Sequence, residues 1–293
     1  MKKLLFVFNP LAGTRKASRF LTEILSVFNL AGYDVTVHIT AESGDGTAVV
    51  ERLAGAMDRI VCCGGDGTFN ETVTGILNSG LRVPIGYIPA GSTNDFARSL
   101  SLETDFVKAA EQIVAGTARD YDIGCFGNRY FTYVASFGAF TRASYATPQN
   151  LKNIFGHAAY LLEGIQELSQ IKPIRMQLAA DGHVFDEEFL FGAICNSTSL
   201  GGVLNLDPQQ VDMADGKFEV LLVRPPKDLV ELSKCIQSLQ KQQYDSPMIS
   251  FLSTSQVLVN ADPNVPWSLD GERATAEGQL QICNLHRAIR LIR

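Results

Sequence analysis

The chain has 293 residues, 46% of them hydrophobic and 19% charged, with a formal net charge of −6. That length is enough for about two domains, each with its own core, and the balance is that of an ordinary globular protein, not a disordered or fibrous one. The acidic charge argues against a nucleic-acid partner, no apolar run approaches the ~20 residues of a membrane span, and two lysines and one short strand stand where a signal peptide needs a longer apolar stretch.

Leu4 to Phe8 has the apolar run of a buried strand and leads into Asn9-Pro10-Leu11-Ala12-Gly13, where proline and glycine end pairing and open a loop. Ala17, Phe20, Leu21, Ile24, Leu25 and Phe28 then form one helical stripe that ends near Gly32. Val35, Val37 and Ile39 alternate as the next strand, and Ala48, Val49 and Leu53 predict a helix. Ile60 to Cys63 is again a short apolar run, followed by Gly64-Gly65-Asp66-Gly67-Thr68; helical spacing returns at Phe69, Val73, Ile76 and Leu77, and Gly80 stops it. A strand, a glycine loop and a helix in succession aim backbone N–H groups and a helix N-terminus at whatever lies above the sheet, which favours phosphate. Asp66 would repel a bare phosphate, so it argues for a magnesium nucleotide with a cation between them. The competing reading is an Asp-Gly hairpin turn, which the helical spacing downstream disfavours.

Val83 to Ile88 is the next strand and ends in Pro89-Ala90-Gly91-Ser92-Thr93-Asn94-Asp95-Phe96-Ala97-Arg98, a small-residue loop in which Ser or Thr can cap a helix. Strands alternating with helices imply a parallel sheet, whose ligands sit beyond the carboxyl ends of the strands; the Asn9 to Gly13 loop, Thr40 and the Gly64 to Thr68 loop all fall there. Near Asp122 the pattern changes. Asp122 to Phe126 and Arg129 to Ala135 read as strands joined by Gly127-Asn128, a two-residue hairpin signal. Ile174 to Leu178, Phe189 to Cys195, Phe218 to Val223, Gln256 to Ala261, Leu280 to Cys283 and Ala288 to Ile292 continue as strands of an antiparallel sandwich or barrel-like domain. Helical segments interrupt it around His157 to Leu168 and Asp228 to Leu239; the first reads as a helix packed on the sandwich, with a lipid-facing lid as the other role. The boundary is set at residues 1–122 and 123–293. The six cysteines lack metal-type spacing, and adjacent Cys62 and Cys63 point to opposite faces of a strand, so reduced thiols in a cytoplasm are expected.

The Gly64-Gly65-Asp66-Gly67-Thr68 string resembles the phosphate loop of the diacylglycerol kinase catalytic family, shared with NAD kinases and more distantly with phosphofructokinases. Asn9 to Gly13, Gly91 to Arg98, Asp122 and Asp270-Gly271-Glu272 follow the same family's motifs in order, so the resemblance covers nearly the whole chain. It implies an α/β N-terminal domain of NAD kinase/phosphofructokinase type with a parallel sheet, and a mainly antiparallel β-sandwich C-terminal domain. It also implies an ATP-dependent lipid kinase that transfers the γ-phosphate to the hydroxyl of diacylglycerol or a similar lipid, giving phosphatidic acid, with Mg2+ as the cation. The implied nucleotide contacts are Asn9, Pro10, Leu11, Ala12, Gly13, Thr40, Gly65, Asp66, Gly67, Thr68, Phe69, Asn70, Glu71 and Ser92. Asp66, Asp95 and Asp122 are candidate carboxylates for a magnesium network, direct or through water. Many relatives carry a basic residue after the loop glycine where this chain has Thr14, which leaves open the side chain that neutralises the phosphates.

The resemblance makes Asp270 to Glu272 the catalytic acidic motif, grouped with Asp66. Glu272 is the first choice as proton acceptor and Asp270 the alternative base or substrate orienter, because two nearby carboxylates have their pKa values driven apart; without the other motifs the segment would read as an Asp-Gly turn. In relatives the segment matching Asp212 to Lys217 holds a structural magnesium through the Asp215 side chain and the carbonyls of Asp212 and Lys217, where the plain reading is a polar turn. The alternatives to a lipid kinase are an NAD kinase and a non-enzymatic lipid-binding regulatory protein. The expected setting is cytoplasmic with reversible, peripheral docking on a membrane that presents the lipid substrate, through Arg15, Lys16, Arg19, Arg142 and Lys152 or by apolar insertion around Phe155 and Leu161. The acceptor lipid is not specified by apolar residues, and a homodimer stays open.

Overall fold

The computed structural model describes residues 1–139, 172–202, 204–260, 262–276 and 278–293, which divide into two units, Met1–Ile123 with His286–Arg293 and Gly124–Leu285. The helix expected at His157 to Leu168, and Arg142, Lys152, Phe155 and Leu161, lie outside the described residues.

An apolar run with no polar alternation leaves no side of a strand for water, and the first unit buries such runs between helices. Its elements are β1 (Lys2–Phe8), a 3₁₀ turn at Lys16–Phe20, α1 (Leu21–Leu30), β2 (Tyr33–Ile39), α2 (Asp45–Leu53), β3 (Arg59–Gly64), α3 (Asp66–Ser79), β4 (Ile85–Pro89), α4 (Asp95–Ser99), α5 (Phe106–Ala115) and β5 (Ala118–Phe126), whose last three residues belong to the second unit. The strands lie in the order β2-β1-β3-β4, all parallel, with Phe6 opposite both Val37 and Val61, and Cys62 opposite Tyr87. Phe6, Phe8, Phe28, Val61, Ile88 and Ile113 form the core on one face. α5 was not anticipated, and the last eight residues, assigned to the β-rich domain by the sequence pattern, belong to this unit, where Leu291 pairs in parallel with Ile85.

The second unit is built from β6 (Arg129–Phe131), β7 (Val134–Gly138), β8 (Ile174–Ala180), β9 (His183–Phe189), β10 (Phe191–Cys195), β11 (Ser199–Leu200), β12 (Leu204–Asn205), β13 (Phe218–Val223), α6 (Leu229–Gln240), β14 (Ile249–Thr254), β15 (Gln256–Asn260), β16 (Pro266–Leu269), β17 (Glu272–Thr275) and β18 (Gln279–Ile292), which runs on into the first unit. One antiparallel sheet runs β14-β13-β10-β7-β16-β17, and β9-β8-β15-β18 form another. Phe126, Phe131, Phe137, Phe189, Phe218 and Trp267 fill a common core, which makes the unit a β-sandwich. The stripe Leu232, Cys235, Ile236 and Leu239 of α6 packs with Leu221, Val223 and Ala193, and the Asp228 side chain caps the helix by accepting from the Glu231 N–H. The expected strand Arg129 to Ala135 breaks after Phe131 into β6 and β7, and other expected strands differ too. Phe189 to Cys195 breaks at Leu190 into β9 and β10, which enter different sheets, whereas Leu280 to Cys283 and Ala288 to Ile292 are one strand carrying Arg287 at φ 52°.

Candidate active site

Three loops at the carboxyl ends of β1, β3 and β4 meet in the first unit, and small residues permit the approach. Asn9 ties the first loop to the second: its N–H donates to the Cys63 carbonyl at 3.0 Å, its Nδ2 to Thr68 Oγ1 at 2.9 Å, and its Oδ1 accepts from the Leu11 N–H. Gly13, at φ +52°, closes the first loop on the third, since a Cβ there would stand 2.4 Å from the Ala90 carbonyl oxygen. A Cβ on Gly91 would stand 2.6 Å from Gly65 Cα, so the second and third loops also touch backbone to backbone. Asn94 holds the third loop, accepting from the Gly91 N–H at 2.8 Å and donating to its carbonyl at 3.1 Å. Thr40, at the end of β2, donates its N–H to the Phe8 carbonyl, and Ser92 is exposed on the third loop.

α3 begins at Asp66, so the N–H groups of Gly65, Asp66, Gly67 and Thr68 are those its ladder leaves over, with the Asp66 carboxylate in the first turn. This narrows the expected cradle. The Phe69 N–H donates to the Gly65 carbonyl, and its ring is buried between Tyr87 and Phe96 at 4.3 and 4.7 Å. Asn70 and Glu71 sit deeper in the helix, where the ladder takes their N–H groups. The Glu71 carboxylate instead caps α2, accepting from the Gly44 and Gly46 N–H groups at 2.7 and 3.0 Å.

The carboxylates expected around magnesium, direct or through water, are Asp66, Asp95 and Asp122. Asp95 and Asp122 are buried, and Asp122 Oδ1 accepts the Arg287 N–H at 2.6 Å and lies 3.1 Å from His286 Nδ1. Among the described residues no three His, Cys, Asp or Glu side chains gather as metal ligands, so Asp66, Asp95 and Asp122 do not form a direct cage. What fits a cation-bound nucleotide is the helix start with its single first-turn carboxylate, Asp66.

In the second unit Asp270 and Glu272 have opposite surroundings. Asp270 is 9% exposed and receives the Thr132 and Tyr133 N–H groups, the Val134 N–H at 3.0 Å and the Thr132 hydroxyl at 2.8 Å. Burial raises its carboxyl above the ordinary value, and those donors offset only part of the rise. With its oxygens so engaged, Asp270 anchors the chain between β6 and β7 and is less free than Glu272 to take a proton. Glu272 is 62% exposed, with Arg129 Nη2 at 3.5 Å; Arg129, which the sequence pattern did not single out, also donates to the Arg273 carbonyl.

The Asp212 to Lys217 segment is a turn: Asp212 Oδ1 accepts the Ala214 N–H, Asp215 Oδ1 accepts the Lys217 N–H, and the Lys217 carbonyl accepts from Asn284 Nδ2 at 2.8 Å. Nearby Glu219 is buried, and burial, with the charges of Asp215 and Asp212 adding to it, pushes its carboxyl up to about 7 against a hydrogen bond from Ser253. A cation on the turn would ease the negative charge collected in this way.

A parallel α/β unit with a phosphate-type loop cluster, followed by an antiparallel sandwich, defines a nucleotide-dependent phosphotransferase class of two-domain protein. Residues 3–126 match the diacylglycerol kinase catalytic domain, and residues 134–292 match the YegS C-terminal NAD kinase beta sandwich-like domain. The diacylglycerol kinase of Bacillus subtilis (strain 168) is 32% identical over 296 residues, covering 100% of this chain and 96% of that protein. The diacylglycerol kinase of Staphylococcus aureus (strain MRSA252) is 32% identical over 273 residues, covering 92% of this chain and 86% of its own. A solved structure from Bacillus anthracis str. Sterne shares the fold at TM-score 0.82 and 24% identity, covering 99% of this chain and 94% of its own. A second from that organism, described as a diacylglycerol kinase, does so at 0.76 and 23%, covering 99% and 96%. The chain belongs to the diacylglycerol kinase family and is a kinase, which removes the non-enzymatic reading. No helix among the described residues is long and apolar enough to cross a membrane.

Proposed function

We propose that this kinase transfers the γ-phosphate of ATP to the free hydroxyl of diacylglycerol or a lipid of the same shape, giving phosphatidic acid, and that it docks peripherally on the membrane holding that lipid. The observation that carries the reading is the convergence of the Asn9–Gly13, Gly64–Thr68 and Gly91–Asn94 loops, whose glycines bring backbone N–H groups of a helix start to one place. In this reading those N–H groups bind the phosphates, with Asn9, Thr40 and Ser92 as neighbours. A magnesium ion, when bound, would supply positive charge to the transferred group; Asp66 would hold it directly, and Asp95 and Asp122 would do so through water. Glu272 accepts the proton of the lipid hydroxyl, and its exposure keeps it available to a substrate.

The test is transfer of labelled phosphate from ATP to a panel of lipids in mixed micelles, with NAD in a parallel reaction. Labelled lipid with unlabelled NAD is expected; labelled NAD alone would favour the NAD kinase reading. A second magnesium, on the Asp212–Lys217 turn, is tested by stability: Asp215→Ala is expected to lower Tm more in magnesium than in chelator. Equal losses in the two conditions would reduce the segment to a turn.

A further inference from the structure

Four of the six cysteines, Cys62, Cys63, Cys195 and Cys235, are buried, and burial pushes the Cys63 thiol up to about 12 and that of Cys235 to about 11. Cys125 and Cys283 are different. Both are half-buried and sit on paired strands, β5 and β18. The pair runs antiparallel: Thr117 and Arg293 exchange two backbone hydrogen bonds at one end, and the Gly127 N–H donates to the Gln281 carbonyl at the other. Two residues back from Gly127 is Cys125, and two residues on from Gln281 is Cys283, so the register sets them opposite each other. They share a face as well, because their neighbours Phe126 and Ile282 point into the sandwich core.

Opposed residues of an antiparallel pair have Cα atoms roughly 4.5–5.5 Å apart, inside the range a disulfide spans. The Cys283 thiol lies near enough to act on that of Cys125. Burial, with Cys283 as the next cause, pushes the Cys125 thiol up to about 11, and its sulfur also donates to the Gly127 carbonyl at 3.3 Å. The position is special in the chain. β5 enters the second unit after Ile123 and β18 leaves it after Leu285, so each cysteine lies just inside one of these crossing points.

We propose that Cys125 and Cys283 are a modification site, a thiol pair that a peroxide-class oxidant converts to a disulfide, closing the second unit covalently where the chain enters and leaves it. Cys125 remains protonated near neutral pH and reacts second, after Cys283 has met the oxidant. The Cys283 sulfur attacks one peroxide oxygen; the O–O bond breaks, the departing hydroxide takes the Cys283 proton and leaves as water, and a sulfenic acid forms on Cys283. The Cys125 sulfur then attacks the sulfenic sulfur: the S–S bond forms, the S–O bond breaks, and the second water leaves with the Cys125 proton. Each sulfur gives up one electron and the peroxide takes two. The bond encloses residues 126–282, and a loop of that length restricts the unfolded chain strongly.

The experiment treats the reduced full chain with stoichiometric hydrogen peroxide at pH 8, alkylates what remains and maps the peptides without reduction. The expected result is a peptide joining Cys125 to Cys283, two fewer alkylated cysteines, and a Tm higher by roughly 5 °C that dithiothreitol reverses. Cys125→Ser and Cys283→Ser are each expected to lose the shift. Full alkylation after peroxide, sulfinic acid on either residue, or a bridge between two chains would each overturn the proposal. The peptide map of the unsubstituted protein decides this even if a serine variant folds poorly.

Discussion

Glu272 and Asp270 stand two positions apart, and on an extended chain they would share one face. The chain is not extended there. Asp270 at φ 49° and Gly271 at φ 86° form a two-residue turn that joins β16 to β17, with Leu269 paired to Glu272. The spacing of the acidic motif was therefore legible in the sequence, whereas the different fates of its two carboxylates were not, because they depend on backbone donors from Thr132 to Val134 far away in the chain. The outcome separates two variants. Glu272→Ala is expected to lower turnover ~10²–10⁴-fold with little change in Tm, as suits an exposed side chain acting as base. Asp270→Ala strips acceptors from several buried donors and is expected to cost about 3 kcal/mol of stability, so that its activity falls with its fold. Thermal unfolding measured beside turnover checks both; a stable Glu272→Ala protein with normal turnover would overturn the assignment of the base.

At the scale of elements, glycines show where the sequence decides packing and where it only permits a turn. Gly13 and Gly32 both have positive φ, at +52° and +83°, but a Cβ on Gly13 would collide with the Ala90 carbonyl while one on Gly32 would meet nothing within 4 Å. Gly32→Ala is then expected to cost only about 1 kcal/mol of stability, while Gly13→Ala pries the first loop from the third and raises the KM for ATP at least roughly tenfold. Kinetics of the two variants at saturating lipid test the difference. The parallel arrangement of β1 to β4 was legible because β1, β3 and β4 are local apolar runs and β2 an alternating one, with helical stripes between them. α5 was missed although Asp105 caps it and Ala109, Ala110 and Ile113 give it a buried face; alanine marks a stripe only weakly. The split at Leu190 was beyond a local pattern, since Phe189 and Phe191 are both buried and no polar residue marks the change of sheet. Across the sandwich, Arg224 beyond β13 grips Glu187 of β9 with Nε–Oε2 at 2.7 Å and Nη2–Oε1 at 2.8 Å, and that hydrogen-bonded pairing holds the Glu187 carboxyl below its ordinary value. A depressed carboxyl stabilises the fold above its unfolded pKa and loses that contribution as pH falls through the folded one. Arg224→Met is therefore expected to lower Tm by roughly 2 °C at pH 7 and by much less at pH 3, a contrast that a pair without energetic weight would not give.

For the molecule as a whole, the proposed reaction requires an acidic protein, with no spanning helix among its described residues, to reach a hydroxyl held in a bilayer. A net charge of −6 repels an anionic surface, so attraction must be local. The first loop and the turn after it supply one such place: Arg15, Lys16 and Arg19 are exposed, beside Leu11 at 63% and Phe20 at 41% exposure. Basic residues near an anionic membrane contribute ~1 kcal/mol each, an attraction that falls off within a Debye length, and the two apolar side chains would add burial at the headgroup boundary. Added salt is then expected to weaken activity on anionic vesicles far more than activity on a short-chain soluble lipid. Lys16→Gln combined with Arg19→Gln is expected to reproduce the effect of salt on vesicle binding. Because Lys16 lies close to the proposed nucleotide loops, the KM for ATP has to be measured beside vesicle binding; a change confined to KM would move Lys16 from membrane to nucleotide. Equal binding to anionic and neutral vesicles at low and high salt would exclude electrostatic docking altogether, and Leu11→Ser with Phe20→Ser would then be the variant to test apolar insertion on this face.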